Sequence, residues 1–290
     1  MPQVDAALFA RLERFYDGVP RFAARVEDFD TLVLFIGSSD AYPLYARPAL
    51  RSEKTPSAAD ITAVRQRQRD IGAPEAFEWV HETSPDLLAV ARSAGLSVLE
   101  APLMVLDPEA LPSITDDEFV SVRLMAPEDP SFAHDVSIRG AVAAVSFTHA
   151  GTATGPVGAS ARDAALTPLS AGSLALHRRR AAQGRAASAL AEVKNPTDPE
   201  VSGVVGSGMF QREGDVAEIV GVATLPAARH RGVARAITAT LARHALDSGA
   251  GLVFLSAASD DVARMYARLG FRRAGTACIA EPAVPAPQAP

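Results

Sequence analysis

The run Arg229-His230-Arg231-Gly232-Val233-Ala234 places two arginines and a glycine where a pyrophosphate could be seated. Gly232 has no Cβ to hold a phosphate away, the arginines add full positive charge, and a helix starting here would aim free N–H groups at the anion. Two side chains outside the run are of types that move protons. Glu218 is the only charge between Ala217 and Thr224, and Tyr266 lies downstream.

The flanking elements must position these groups. From Ala217 to Thr224 both alternating sets, Val220/Val222 and Ala217/Ile219/Gly221/Ala223, are small or apolar, the pattern of a strand covered on both faces. Gly221 inside it marks a bulge or a close backbone approach. Pro226 stops the strand, and Val233, Ile237, Leu241 and Ala245 then recur at helical spacing beneath Arg235, Thr238 and Arg243. A second strand, Gly251 to Ser256, leads into a helix beginning near Ser259 and ending at Leu269-Gly270-Phe271.

Arg229-x-x-Gly232-x-Ala234 resembles the R/Q-x-x-G-x-G/A signature of the GNAT superfamily of acyl-CoA-dependent N-acyltransferases. Ser259 to Phe271 is similar to its N-x-x-A-x-x-x-Y-x-x-L-G-F helix, with Ser259 where the family has Asn. The resemblance covers about residues 117 to 280. It implies an α/β (α+β) GNAT fold, a mixed central sheet flanked by helices. It also implies acetyl-CoA as cosubstrate, held by the backbone of Val222, Ala223 and Thr224, by Arg229 through Ala234, and by Ser259. An amine must be neutral to attack, so a base is needed. By the same resemblance Glu218 is that base and Tyr266 the acid that meets the leaving thiolate. From the residues alone, Glu218 is equally a strand-end carboxylate facing water, and Tyr266 a core aromatic sharing a helix face with Val262 and Leu269.

The 290 residues suit two domains. We read residues 1–106 as a smaller, degenerate GNAT-like domain, 107–116 as a linker, 117–280 as the N-acetyltransferase domain and 281–290 as a disordered proline-rich tail. Ala91-Arg-Ser-Ala-Gly-Leu96 faintly echoes Ala267-Arg-Leu-Gly-Phe271, which motivates the partial-repeat reading. With 28 basic and 34 acidic residues the net charge is -6, against a nucleic-acid or anionic-membrane partner and mildly in favour of a cationic amine. A lone cysteine, Cys278, and no long apolar run point to a cytoplasmic, soluble protein, monomer or homodimer.

Other motifs are set aside on their spacing. His81-Glu82 meets Pro85 where H-E-x-x-H needs a second histidine, and no metal is expected. Gly151 to Gly158 lacks the lysine of a P-loop. Gly203, Gly206 and Gly208 are in the wrong order for a dinucleotide fingerprint and fit a close packing approach. The expected activity is acetyl transfer to a primary amine, small molecule or peptide, by direct ternary-complex attack; the alternative is a non-catalytic acyl-CoA-binding or regulatory module.

Overall fold

The computed structural model describes residues 5–37, 44–113, 118–149 and 151–283. Two compact units result, one drawn from Met1–Leu103, Ser256–Ser259 and Arg273–Pro290, the other from Met104–Leu255 and Asp260–Arg272. Residues 284–290 of the expected tail lie outside the described residues.

The first unit opens with α1 (Ala6–Arg21), capped by the Asp5 carboxylate on the N–H of Leu8. Strands β1 (Ala24–Asp28), β2 (Leu32–Gly37) and β3 (Ala46–Pro48) follow, then α2 (Ala58–Asp70), β4 (Phe77–Val80), α3 (Leu87–Ser93) and β5 (Leu96–Leu106). Ser57 caps α2 in a reciprocal box: its hydroxyl accepts from the Asp60 N–H while the Asp60 carboxylate accepts from the Ser57 N–H. Leu32, Leu34, Ile61, Phe77, Trp79 and Cys278 join in one apolar core, where burial pushes the Cys278 thiol up to about 12. It is a small core residue and not a nucleophile. Arg47, fully buried, is neutralised by Glu13.

The second unit comprises β6 (Val120–Leu124), α4 (Phe132–Thr148), α5 (Ala159–Ala164), α6 (Ala171–Ala182), β7 (Ala186–Val193), β8 (Val204–Glu213), β9 (Val216–Thr224), α7 (Val233–Asp247), β10 (Leu252–Ser256) and α8 (Asp260–Ala267). Its strands run in the order β10-β9-β8-β7-β6. The pairs from β6 to β9 are antiparallel and β9 with β10 is parallel, so the sheet is mixed. Val233, Ile237, Leu241 and Ala245 are buried along one stripe of α7. Burial of side chains such as Ile237 and Leu241 stabilises by about 1.5–3 kcal/mol each. The stripe lies against β8 where that strand has no side chains: a Cβ on Gly206 would come within 2.4 Å of Val233 Cγ1, and one on Gly208 within 2.8 Å of Ile237 Cγ2. Gly206 and Gly208 are there to let a helix approach, whereas Gly203, at φ 60, lies beside the Arg162 guanidinium.

The last strand, β11 (Phe271–Pro282), takes in Glu281 and Pro282 and from Arg273 onward belongs to the first unit. There it runs antiparallel to β4, and the order is β1-β2-β3-β4-β11-β5. Among the described residues no helix is long and apolar enough to cross a membrane.

Candidate acyl-transfer site

Strand β9 changes character halfway along. Val216 to Ile219 are buried, and the parallel ladder to β10 holds at Leu252↔Val216, Val253↔Ala217 and Phe254↔Glu218. The recorded β9–β10 pairing ends at that last rung. On the other side of β9 the register against β8 jumps from Met209↔Val220 to Ser207↔Ala223, so β9 carries one residue more than its partner. Gly221, exposed and at φ 62, takes the left-handed backbone that the bulge requires. The bulge expected at Gly221 is present, and β9 parts from β10 beyond Glu218.

Glu218 sits at the apex of this opening with 7% of its surface exposed, so the alternative of a carboxylate facing water does not hold. Its cross-strand neighbour Gln211 donates from Nε2 to Glu218 Oε2 at 3.1 Å. Val222, Ala223 and Thr224 follow on the parted half of the strand.

Beyond Pro226 the chain turns into α7. His230 adopts φ 61, and Gly232, the N-cap, φ 80, both left-handed. No side chain caps α7, and the first turn carries no acid. Helix geometry leaves the N–H groups of Val233 and Ala234 without intrahelical acceptors. Arg231 projects its guanidinium over the Phe119 ring at 4.9 Å.

Arg229 has a different task from the one its spacing suggests. Its guanidinium donates to the carbonyls of Thr224 (3.3 Å), Ala153 (2.9 Å), Ser146 (3.0 Å) and His149 (2.9 Å). Ser146 and His149 close the C-terminal end of α4, where carbonyls lack intrahelical donors and the helix end carries partial negative charge. A planar fork of five donors answers that need. The Arg229 side chain therefore ties α4 and the 151–158 loop to the turn.

Tyr266, 7% exposed, stacks edge-on to Phe271 at 6.0 Å and has the Thr238 hydroxyl as hydrogen-bonding neighbour. Burial pushes its phenol up to about 12. Thr238 Oγ1 donates to Ala234 O at 2.8 Å, so Tyr266 is coupled through one residue to the first turn of α7. Ser259 immediately precedes α8 and is counted with the first unit. Neither Thr238 nor Gln211 is singled out by the sequence, because each draws its importance from a partner on another element.

Among the described residues no group of three or more His, Cys, Asp or Glu is placed to hold a metal. Residues 170–271 match the family described as Acetyltransferase (GNAT) family. No curated protein sequence matches the chain. A solved GCN5-related N-acetyltransferase from Kribbella flavida is similar over 96% of this chain and 96% of its own, with 20% identity and a TM-score of 0.65. A GCN5-related N-acetyltransferase-like protein from Streptococcus suis 89/1591 covers 95% and 98%, at 14% identity and TM-score 0.53. A tandem GNAT protein from the clavulanic acid biosynthesis pathway covers 88% and 79%, at 12% identity and TM-score 0.50. The chain thus has the fold of GCN5-related N-acetyltransferases, and its residues 170–271 match the GNAT family, which supports an acyltransferase.

Proposed function

We propose that the protein transfers the acetyl group of acetyl-CoA to a primary amine by direct attack within a ternary complex. The observation that carries this reading is the opening of β9 from β10 immediately after a buried glutamate, with an uncapped helix start beyond it. The residues present fit the cosubstrate. Val222, Ala223 and Thr224 offer the parted strand to its amide-bearing arm, and Gly232, Val233 and Ala234, with His230 and Arg231, offer donors and charge to its pyrophosphate. Ser259 is assigned to the same cosubstrate by its place in the second motif. Bound there, acetyl-CoA supplies the acyl group as a reactive thioester.

The chain's own groups handle the protons. Glu218, oriented by Gln211, takes one from the ammonium form of the acceptor. Tyr266 keeps its proton through the neutral range, because burial holds the phenol at about 12. Handing that proton completely to a thiolate of ordinary pKa costs about 5 kcal/mol, so Tyr266 acts mainly as a hydrogen-bond donor to the departing sulfur. The first unit we read as a degenerate partial copy.

Glu218→Gln tests the assignment, since the amide preserves shape and still meets Gln211. Turnover, followed by thiol release, is expected to fall by about 10²-fold or more, with acetyl-CoA affinity by calorimetry little changed. Undiminished turnover in the variant removes Glu218 from the proton path; absence of acetyl-CoA binding in the native protein removes the whole reading.

A further inference from the structure

The second unit holds a small, open cleft between α4, α6, β7 and β8. Met125, Phe132, Val136 and Met209 give it an apolar wall, and Arg139, His177 and Arg180 supply every titratable group of its lining. The two guanidiniums reach it from different helices and, among the described residues, hydrogen-bond only to neutral groups. Arg139 Nη1 donates to Ser188 Oγ at 3.2 Å and to the Met209 thioether at 2.6 Å, and Arg180 Nη2 donates to Gln211 Oε1 at 3.3 Å. The acids of the neighbouring elements act elsewhere, Glu192 of β7 being exposed and felt by Arg123. On α4, Asp135 takes both guanidinium nitrogens of Arg123 at 2.7 Å; on β8, Glu213 takes Arg185; and on β9, Glu218 accepts from Gln211. Burial holds Arg139 down to about 10, and burial with Arg139 and Arg180 holds His177 down to about 4, so the guanidiniums stay charged and the imidazole neutral at pH 7.

Two half-sequestered cations with no counter-ion among the described residues are costly unless an anion joins them, and a guanidinium fork matches a carboxylate. We propose that this cleft binds the carboxylate of the acceptor, and that the acceptor is a small amino acid with an apolar side chain. The apolar wall suits a hydrocarbon group. Gln211 suits the assignment too: it bonds Arg180 through its carbonyl and Glu218 through its amide, so a single side chain separates the anion seat from the proposed base. That is the arrangement an amine and a carboxylate within one small molecule call for. The acidic net charge pointed to a cationic acceptor; the local field of this cleft points the other way. The inference rests on acetyl transfer for the amine half of the acceptor and is independent of it for the carboxylate half.

The test has a kinetic and a binding arm, both on the full chain. With acetyl-CoA and thiol-release detection, L-leucine is expected to exceed L-leucinamide, cadaverine and O-phosphoethanolamine in kcat/KM by at least about 10-fold, the worth of one well-made ionic contact. Arg180→Gln is expected to raise the KM for leucine by a similar factor and to erase the preference over leucinamide, without altering acetyl-CoA affinity. In the binding arm, 4-methylpentanoate, which has no amine, is titrated calorimetrically into native protein and Arg180→Gln. Binding to the first and not the second sustains the carboxylate seat even if no transfer occurs. Preference for leucinamide or cadaverine, preference for the phosphate ester, an unchanged leucine KM in Arg180→Gln, or no binding of 4-methylpentanoate each overturns it. Arg139→Lys serves as a second variant that keeps the buried charge while removing the fork.

Discussion

Helices α2 and α7 begin in opposite ways. The start of α2 is closed by its own sequence, with Ser57 and Asp60 satisfying each other's N–H groups and the acid lying against the positive end of the helix. The start of α7 is left open: its N-cap is a glycine at φ 80, the first turn has no acid, and two basic residues precede it. A closed start stabilises a helix and does nothing else. An open one gives up about 1 kcal/mol of capping and keeps its donors for something outside the chain.

Closing the open start should have the largest effect. Gly232→Glu brings bulk and negative charge to the donors and forces a side chain into left-handed backbone, so acetyl-CoA affinity is expected to fall by at least ~10²-fold. The strain lowers stability by about 1–2 kcal/mol, so the thermal midpoint is measured alongside the calorimetry. A folded variant with native affinity would remove α7 from the cosubstrate site.

Tyr266→Phe probes the group coupled to the same turn through Thr238. Turnover is expected to drop by roughly 10²-fold while acetyl-CoA affinity holds, and the native kcat profile should show no phenol titration below about pH 10. Native turnover in the variant, with product release shown not to limit, makes Tyr266 a core aromatic packed on Phe271.

Opening the closed start should be felt only in stability. Ser57→Ala is expected to cost about 1 kcal/mol in denaturant unfolding and to leave turnover alone. The smallest effect is that of pH on Asp60, whose carboxyl is held below its ordinary value chiefly by the Ser57 N–H. A depressed carboxyl contributes stability above the unfolded pKa of about 4 and loses it as pH falls through the folded value. The stability gap between native protein and Asp60→Asn should therefore shrink on acidification below pH 4; a gap that stays constant would show that charge at the cap is irrelevant.

Much of this contrast was legible in the chain. Ser57 with Asp60 is a capping signature, and the β9 turn into α7 announces itself through Pro226, Gly232 and a stripe at helical spacing. Three elements were not. Strand β1, Ala24-Arg-Val-Glu-Asp28, is short and charged and exists through its ladder to β2. Helix α5 has six residues and is fastened by Arg162, whose Nη1 donates to the carbonyls of Ser202 and Val204. Strand β11 is rich in alanine, a poor strand former, and is made by its pairing with β4.

The sequence by itself determined what depends on neighbours within one element: the strand buried on both faces, the glycine bulge at Gly221, the uncapped helix start and the motif tyrosine. Only the tertiary structure decided how the cations are employed. Arg229, in the motif, is turned to carbonyls as far as 83 residues away, whereas Arg139 and Arg180, in no motif, are left facing a cleft without an acid. The reason is reach. A guanidinium on a long stem takes whichever acceptors the fold brings within about 3 Å, and spacing along the chain does not encode which those will be.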